Sequence, residues 1–235
     1  MEGKMPEAYR IREALKNTLR VAVINKERYK EKLEHIPHEE YMDLAIVPIV
    51  GARESAEAYR TTVLERSALG EFFEDVGEDA DSAMKDVRVI VTALRNAMKK
   101  FPPGIVDMRT ELLEIINEVS ASQEDDELLR DLHIEAEDAP EIYIASTKEK
   151  YMGAGVIAYP GFAEEAARKV GGSYYIIPSS VHELILVPGE REDWIVKGMK
   201  ELVRSVNREL VQEQERLSDS IYFYDNRSRK LNICE

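Results

Sequence analysis

The chain has 235 residues, of which 44% are apolar and 33% charged, with one cysteine. This composition excludes disordered, collagen-like and disulfide-framed chains, and the length is enough for a core that needs no metal or cross-link. The formal net charge of −14 resides in two runs: residues 71–81 hold six acids and no base, residues 123–141 hold nine acids and one Arg, and the rest balances. Recognition of a phosphate backbone or an anionic membrane needs clustered Lys and Arg. The sequence shows no such cluster, so neither direct nucleic-acid binding nor membrane binding is expected.

Cys234 is the only cysteine, which fits a reducing compartment. The N-terminal MEGKMPEAYRIREALKN lacks the apolar centre of a signal peptide. The longest nearly unbroken apolar stretch, Leu44 to Ala52, is far short of the ~18 residues of a membrane span. The expectation is a soluble cytoplasmic protein.

In chain order, Ile11, Leu15, Leu19, Ala22 and Val23 recur at helical spacing after Pro6. Pro37 ends any helix in the charged run from Asn25 to Glu34. YMDLAIVPIV (41–50) is apolar at every alternation, as in a strand covered on both faces, although Pro48 argues for an edge or a bulge. Residues 59–65 (YRTTVLE) offer an antiparallel partner. Met84, Val87, Val91, Leu94, Met98 and Phe101 form one apolar stripe of a helix, stopped by Pro102-Pro103-Gly104. Leu112 to Val119 is amphipathic and leads into the second acidic run, which has few apolar residues.

The C-terminal half predicts strands at 142–147 and 154–160 and a helix at 161–171, whose charge order suits the helix dipole and whose Gly171 suits a left-handed cap. A strand pair at 174–178 and 183–188 follows, then a long helix burying Ile195, Met199, Leu202, Val203, Val206 and Leu210. A final pair, 221–225 and 230–234, closes the chain. The fold class expected is α+β, an antiparallel or mixed sheet built from strand pairs with amphipathic helices mainly on one face, those at 161–171 and 193–210 sharing it. Three regions are expected: 1–122 (helix, strand pair, helix), an acidic linker or loop at 123–141, and 142–235 (ββαββα-ββ). One continuous domain is the alternative.

The block Pro178-Ser179-Ser180-Val181-His182-Glu183 alone brings nucleophile, base and carboxylate types together. A serine hydrolase needs a base within reach of the Ser and a group that orients that base. On an extended strand Ser180 and His182 share a side while Glu183 points away, and no G-x-S-x-G elbow exposes either serine. A loop in which the hydroxyls cap backbone groups is the competing and favoured account. His35-Ile36-Pro37-His38 resembles a metal spacing, but Pro37 prevents the helical pair that zinc chemistry wants, and exposed turn histidines fit better. Gly153-Ala154-Gly155 precedes a predicted strand, unlike a dinucleotide fingerprint, and reads as a tight turn. No D-x-D-x-D-G ladder marks a calcium loop among Asp75 to Asp81. Tyr222-Phe223-Tyr224 alternates across a strand and puts at least one ring in the core. No metal or cofactor is expected.

The pieces HIPHEEYMDLAIVPIV (35–50), IYIASTKEKYMGAGVIAYPGFAEEAARKVGGSYYIIPSSVHELILVP (142–188) and LSDSIYFYD (217–225) resemble a bacterial family of uncharacterised proteins, a domain of unknown function common in anaerobic gut bacteria. Its pattern runs PHR-x-FLDLAIV, GAA-x-x-LYPG, YILPSSIHEVILVP and LSD-x-VYRYD. The chain departs from it at His38-Glu39, where the family has His-Arg, and most over 67–120; the family also tends to a longer N-terminal region. The resemblance implies a recurring folded unit and carries no activity, cofactor or catalytic residue.

Function stays unassigned by sequence. The favoured reading is a non-catalytic cytoplasmic binding or regulatory protein with an unidentified protein or small-molecule partner. One alternative is a hydrolase using Ser179 or Ser180 with His182. The other is an acidic decoy of a nucleic-acid-binding protein, acting through the two acidic runs. Oligomeric state is not encoded in any legible feature.

Overall fold

Two antiparallel sheets build the protein in a computed structural model that describes residues 17–53, 59–68, 82–113, 141–178 and 180–235. The first sheet contains β1 (Arg20–Asn25), β2 (Glu39–Tyr41), β3 (Leu44–Arg53) and β4 (Tyr59–Val63), with β3 pairing all three others. A short helix, α1 (Lys30–Leu33), lies between β1 and β2. Leu44 and Ile46 enter the core shared with the second sheet, while Ala45, Val47 and Ile49 enter a smaller cluster on the opposite face. The unbroken apolar run of β3 thus reflects burial on both faces.

Pro48 lies inside this central strand, contrary to the edge or bulge expected. Its carbonyl accepts the Leu64 N–H at 2.9 Å. The ring nitrogen faces that same side, between the end of the β2 pairing at Ile46 and the start of the β4 pairing at Ile49, so the absent N–H breaks no bond to β1. Ala22 and Val23, expected to extend the N-terminal helix, belong to β1. Val21 and Val23 face the shared core and Ala22 and Ile24 face the smaller cluster. The β-branched residues and two covered faces favour a strand there. The helix expected before Asn17 lies outside the described residues.

Helix α2 (Ser82–Lys100) forms as the periodicity requires, but with another face inward. Val89, Ile90, Ala93 and Ala97 are buried, whereas Met84 and Val87 are 67% and 61% exposed, and Val91 and Met98 are exposed as well. Ala93 and Ala97 allow the helix backbone to approach the first sheet closely. Met84, Val87, Val91 and Met98 therefore point away, while Leu94 of the same stripe still packs against the core.

The second sheet has the strand order β10-β9-β7-β8-β6-β5: β5 (Pro103–Asp107), β6 (Tyr143–Thr147), β7 (Tyr174–Ile177), β8 (Leu184–Pro188), β9 (Tyr222–Asp225) and β10 (Lys230–Ile233). Every pairing in it is antiparallel, including the expected β7–β8 neighbours. The α+β class holds, and the position of the helices is corrected. Helix α3 (Phe162–Val170) packs with Tyr174, Ile176, Leu184 and Leu186, while α4 (Asp193–Glu209) packs on Tyr175, Ile177 and Phe223. Alternate residues of a strand point to opposite faces, so the two helices cover opposite sides of the sheet. On α4, Val196, Val203 and Asn207 are buried, while Leu202 and Leu210 are exposed. The segment 154–160, expected as a strand, is instead the buried 3-10 turn Gly153–Ala158, wedged between β6 and β1. The acidic run 71–81 lies outside the described residues, as does 123–141 except Glu141. Among the described residues no helix is long and apolar enough to cross a membrane.

One polar cluster fastens the sheets together. Asp43, at the turn entering β3, accepts hydrogen bonds from the hydroxyls of Ser218, Ser220 (2.8 Å) and Tyr222 (2.6 Å). Burial, and then the adjacent Asp43 carboxylate, holds the Tyr222 hydroxyl well above its ordinary pKa of 10.0. The unfolded chain loses that proton near its ordinary value while the folded chain retains it, so this stability is complete below about pH 10 and falls as pH rises above it. Tyr222→Phe is expected to cost about 1.5–3 kcal/mol at neutral pH, as loss of a bond to a charged acceptor, and to flatten the alkaline fall. Urea unfolding of both proteins at pH 7 and above pH 10 checks both effects.

Candidate functional site

A cleft of about 570 Å³ opens on the face of the first sheet that carries the smaller cluster. Ile24, Ile36 and Val63 form its apolar floor. Tyr29, Lys32 and His35 enter from α1 and its flanks, Tyr151 and Met152 from the turn after β6, and Gln214 and Glu215 from the segment after α4. Val181 and His182 complete the wall. The volume, and an apolar lining with a few polar groups, fall within the general range of small-molecule pockets.

His182 is the most constrained polar group in the cleft. Its Nδ1 accepts the Met152 backbone N–H at 3.2 Å, and its Nε2 stands 3.5 Å from Glu215 Oε1. A nitrogen that accepts carries no proton, so the neutral ring has its hydrogen on Nε2, directed toward Glu215. The ring also packs against Tyr151 at 5.2 Å between centroids. Tyr151 is supported in turn by the buried Arg20 guanidinium, which lies 6.0 Å from the Tyr151 ring, 4.5 Å from Phe101 and 3.4 Å from Glu149.

The loop carrying His182 is held by its backbone. Ser146 Oγ donates to the His182 carbonyl at 2.8 Å, Ala154 N–H to the Val181 carbonyl at 3.2 Å, and Val181 N–H to the Glu215 carbonyl at 2.9 Å. Ser180 Oγ accepts the His182 N–H at 3.1 Å, the capping role that competed with a nucleophile in the sequence. Pro178 and residues 180–183 lie outside the strands, between β7 and β8, and neither Ser180 nor Glu183 lines the cleft. Ser179 lies outside the described residues.

In the turn after β6, Lys150 and Met152 hold left-handed backbone angles (φ 51° and 52°). Such conformations cost about 1–3 kcal/mol each and gather at ligand sites. Here the strain at Met152 aims its N–H at His182. The two histidines of the 35–38 segment diverge: His35 faces the cleft, while His38 Nδ1 donates to the Ile36 carbonyl at 2.9 Å. Among the described residues no group of three or more His, Cys, Asp and Glu could hold a metal ion.

Glu215, Tyr151 and Lys32 had no signal in the sequence. Glu215 lies 33 positions from its partner His182, in the featureless run VQEQER. Tyr222, Phe223 and Tyr224 are all buried, so none of them offers an open stacking surface.

The model of a family of unknown function (DUF5688) matches residues 4–226. The chain belongs to that family. No curated protein and no solved structure matches it. The three segments of the sequence resemblance fall within the matched span and meet around the cleft and the Asp43 cluster.

Gly153 is a steric requirement of the site. A Cβ there would lie 2.6 Å from the His182 carbonyl oxygen and 2.8 Å from the Thr147 nitrogen, both rigid backbone atoms. Gly153→Ala is expected to cost about 3 kcal/mol, the upper end for overpacking. Gly172→Ala, where a Cβ meets nothing within 4 Å, should change stability by no more than about 0.5 kcal/mol. Urea melts of the two variants side by side test this contrast.

Proposed function

We propose that the protein is a non-catalytic, cytoplasmic binding protein whose ligand is a small molecule with a flat apolar body and a hydrogen-bond acceptor. The observation that carries this reading is the state of His182. Its Nδ1 lone pair is filled by the Met152 N–H, so the neutral ring can donate a proton at Nε2 but has no free position to accept one from a serine. Ser180, bonded to the His182 backbone, supports the same view. The apolar body would lie on Ile24, Ile36, Val63 and Met152, with its acceptor taking the His182 Nε2–H in place of Glu215. The buried, unpaired thiol of Cys234 supports a reducing compartment.

A fluorescent probe of this chemistry, 8-anilinonaphthalene-1-sulfonate, is expected to bind the native chain one-to-one with saturation. Val63→Glu, which puts a negatively charged side chain on the floor of the cleft, should abolish binding of this anionic probe while the circular dichroism spectrum stays native. Binding that persists in the variant contradicts the site. Labelling of the native chain by a fluorophosphonate probe, lost in Ser179→Ala or Ser180→Ala, would contradict the non-catalytic reading in favour of the hydrolase.

A further inference from the structure

Helix α2 carries two apolar faces, and no residue of it lines the cleft. Val89, Ile90, Ala93 and Ala97 pack it onto the first sheet, against β1 and β3. The second face is the row Met84, Val87, Val91, Leu94 and Met98, of which only Leu94 is not exposed. The steps along this row alternate strictly between three and four residues. That is the a/d pattern with which one helix receives another, and its period keeps the row facing a partner along the whole contact. Single apolar side chains on a surface need no explanation, whereas a continuous exposed row marks a contact site.

The charge beside the row selects the partner. Arg88 and Arg95 occupy the same position in successive heptads, the one that borders the seam. Lys99 follows one turn after Arg95. All three are exposed, and none pairs with a carboxylate among the described residues. The one acid of α2, Asp86, is held by Arg66 at 2.6 Å. On the other border of the seam stand Ile90 and Ala97, already buried against the first sheet. A second copy of α2 therefore does not fit this face. Antiparallel packing would set Arg88 and Arg95 beside the same arginines of the other copy, and parallel packing would set them beside Ile90 and Ala97. A lipid surface fits no better. Interfacial helices present Leu, Phe or Trp to the membrane, whereas this row is largely Met and Val, with cations on one border alone.

We propose that this face of α2 docks an amphipathic helix of another protein, one with an apolar a/d row and acidic residues along its border. Its carboxylates would meet Arg88, Arg95 and Lys99, and its apolar side chains would cover Met84, Val87, Val91 and Met98. Burial of the two rows supplies the affinity, and the charged border sets the choice of partner and its orientation.

Fluorescence anisotropy of the full chain with a labelled synthetic peptide tests the assignment, the peptide being three heptads long with Leu at a and d and Glu at e and g. Saturable one-to-one binding is expected, weakened by added salt, with none for the same peptide carrying Lys in place of Glu. Val91→Glu should lose the binding. Arg88→Glu/Arg95→Glu should bind the Glu peptide at least about tenfold more weakly and gain the Lys peptide, because like charges set side by side repel. The substituted side chains are exposed, so both variants should melt as the native chain does. Absence of saturable binding by the Glu peptide, or equal binding of the two peptides, would overturn the proposal. A native dimer that Val91→Glu dissociates would give the face to a second copy instead. Binding to phosphatidylglycerol vesicles that exceeds peptide binding and is lost in Val91→Glu would give it to lipid. Peptide binding that emerges only after the acids of 71–81 or 123–141 are changed to amides would give it to the chain's own acidic runs. Each of these three results contradicts an external helix.

Discussion

The carboxylate of Asp43 is the constraint on which the rest of the structure depends. It sits at the entrance to β3, the strand that organises the first sheet, and accepts from Ser218, Ser220 and Tyr222 at the entrance to β9 of the second. A carboxylate that is partly withdrawn from water must replace its hydration with donors, and three hydroxyls provide them. The segment between α4 and β9 is thereby fixed in place, aided by Asn25 Nδ2 donating to the Leu217 carbonyl and Asn207 Nδ2 to the Ser218 carbonyl. That segment carries Glu215 into the cleft.

The apolar cleft follows from the same positioning. Val181 N–H reaches the Glu215 carbonyl only because residues 213–217 are held against the first sheet, and that contact places the His182 ring between Glu215 and Met152. Support continues through Tyr151 to Arg20, which occupies a buried end of β1 beside Phe101. Strained backbone at Met152 and a glycine with no room for a side chain at Gly153 are local costs. Both costs hold His182 and its neighbours in one arrangement.

Much of the architecture was legible in the sequence because it rests on local rules. The two-sided apolar run of β3, the pairs β7–β8 and β9–β10, and α3 with its Gly171 cap follow from alternation, turn residues and helix ends. What was not legible depended on partners distant in sequence. The stripe from Met84 to Met98 satisfied helical periodicity, yet close approach to a sheet favours the small face of Ala93 and Ala97. Burial from both sides made 154–158 a 3-10 turn instead of a strand. Helix sides could not be assigned without knowing that both faces of the second sheet are covered. At the site, His182 stood out by its company with two serines, but its actual partners, Met152 and Glu215, are 30 and 33 residues away. The histidine that drew notice for metal spacing, His35, serves as cleft wall.

The most direct test of this account is hydrogen exchange of Asp43→Asn against the native chain, read peptide by peptide. Asparagine preserves the shape of the side chain while removing its charge and one acceptor oxygen. If Asp43 fixes the segment that walls the cleft, exchange should accelerate in residues 213–222 and 26–36, while β7 and β8 keep their native protection. Unchanged exchange across 213–222, or a uniform rise over the whole chain, would contradict the account.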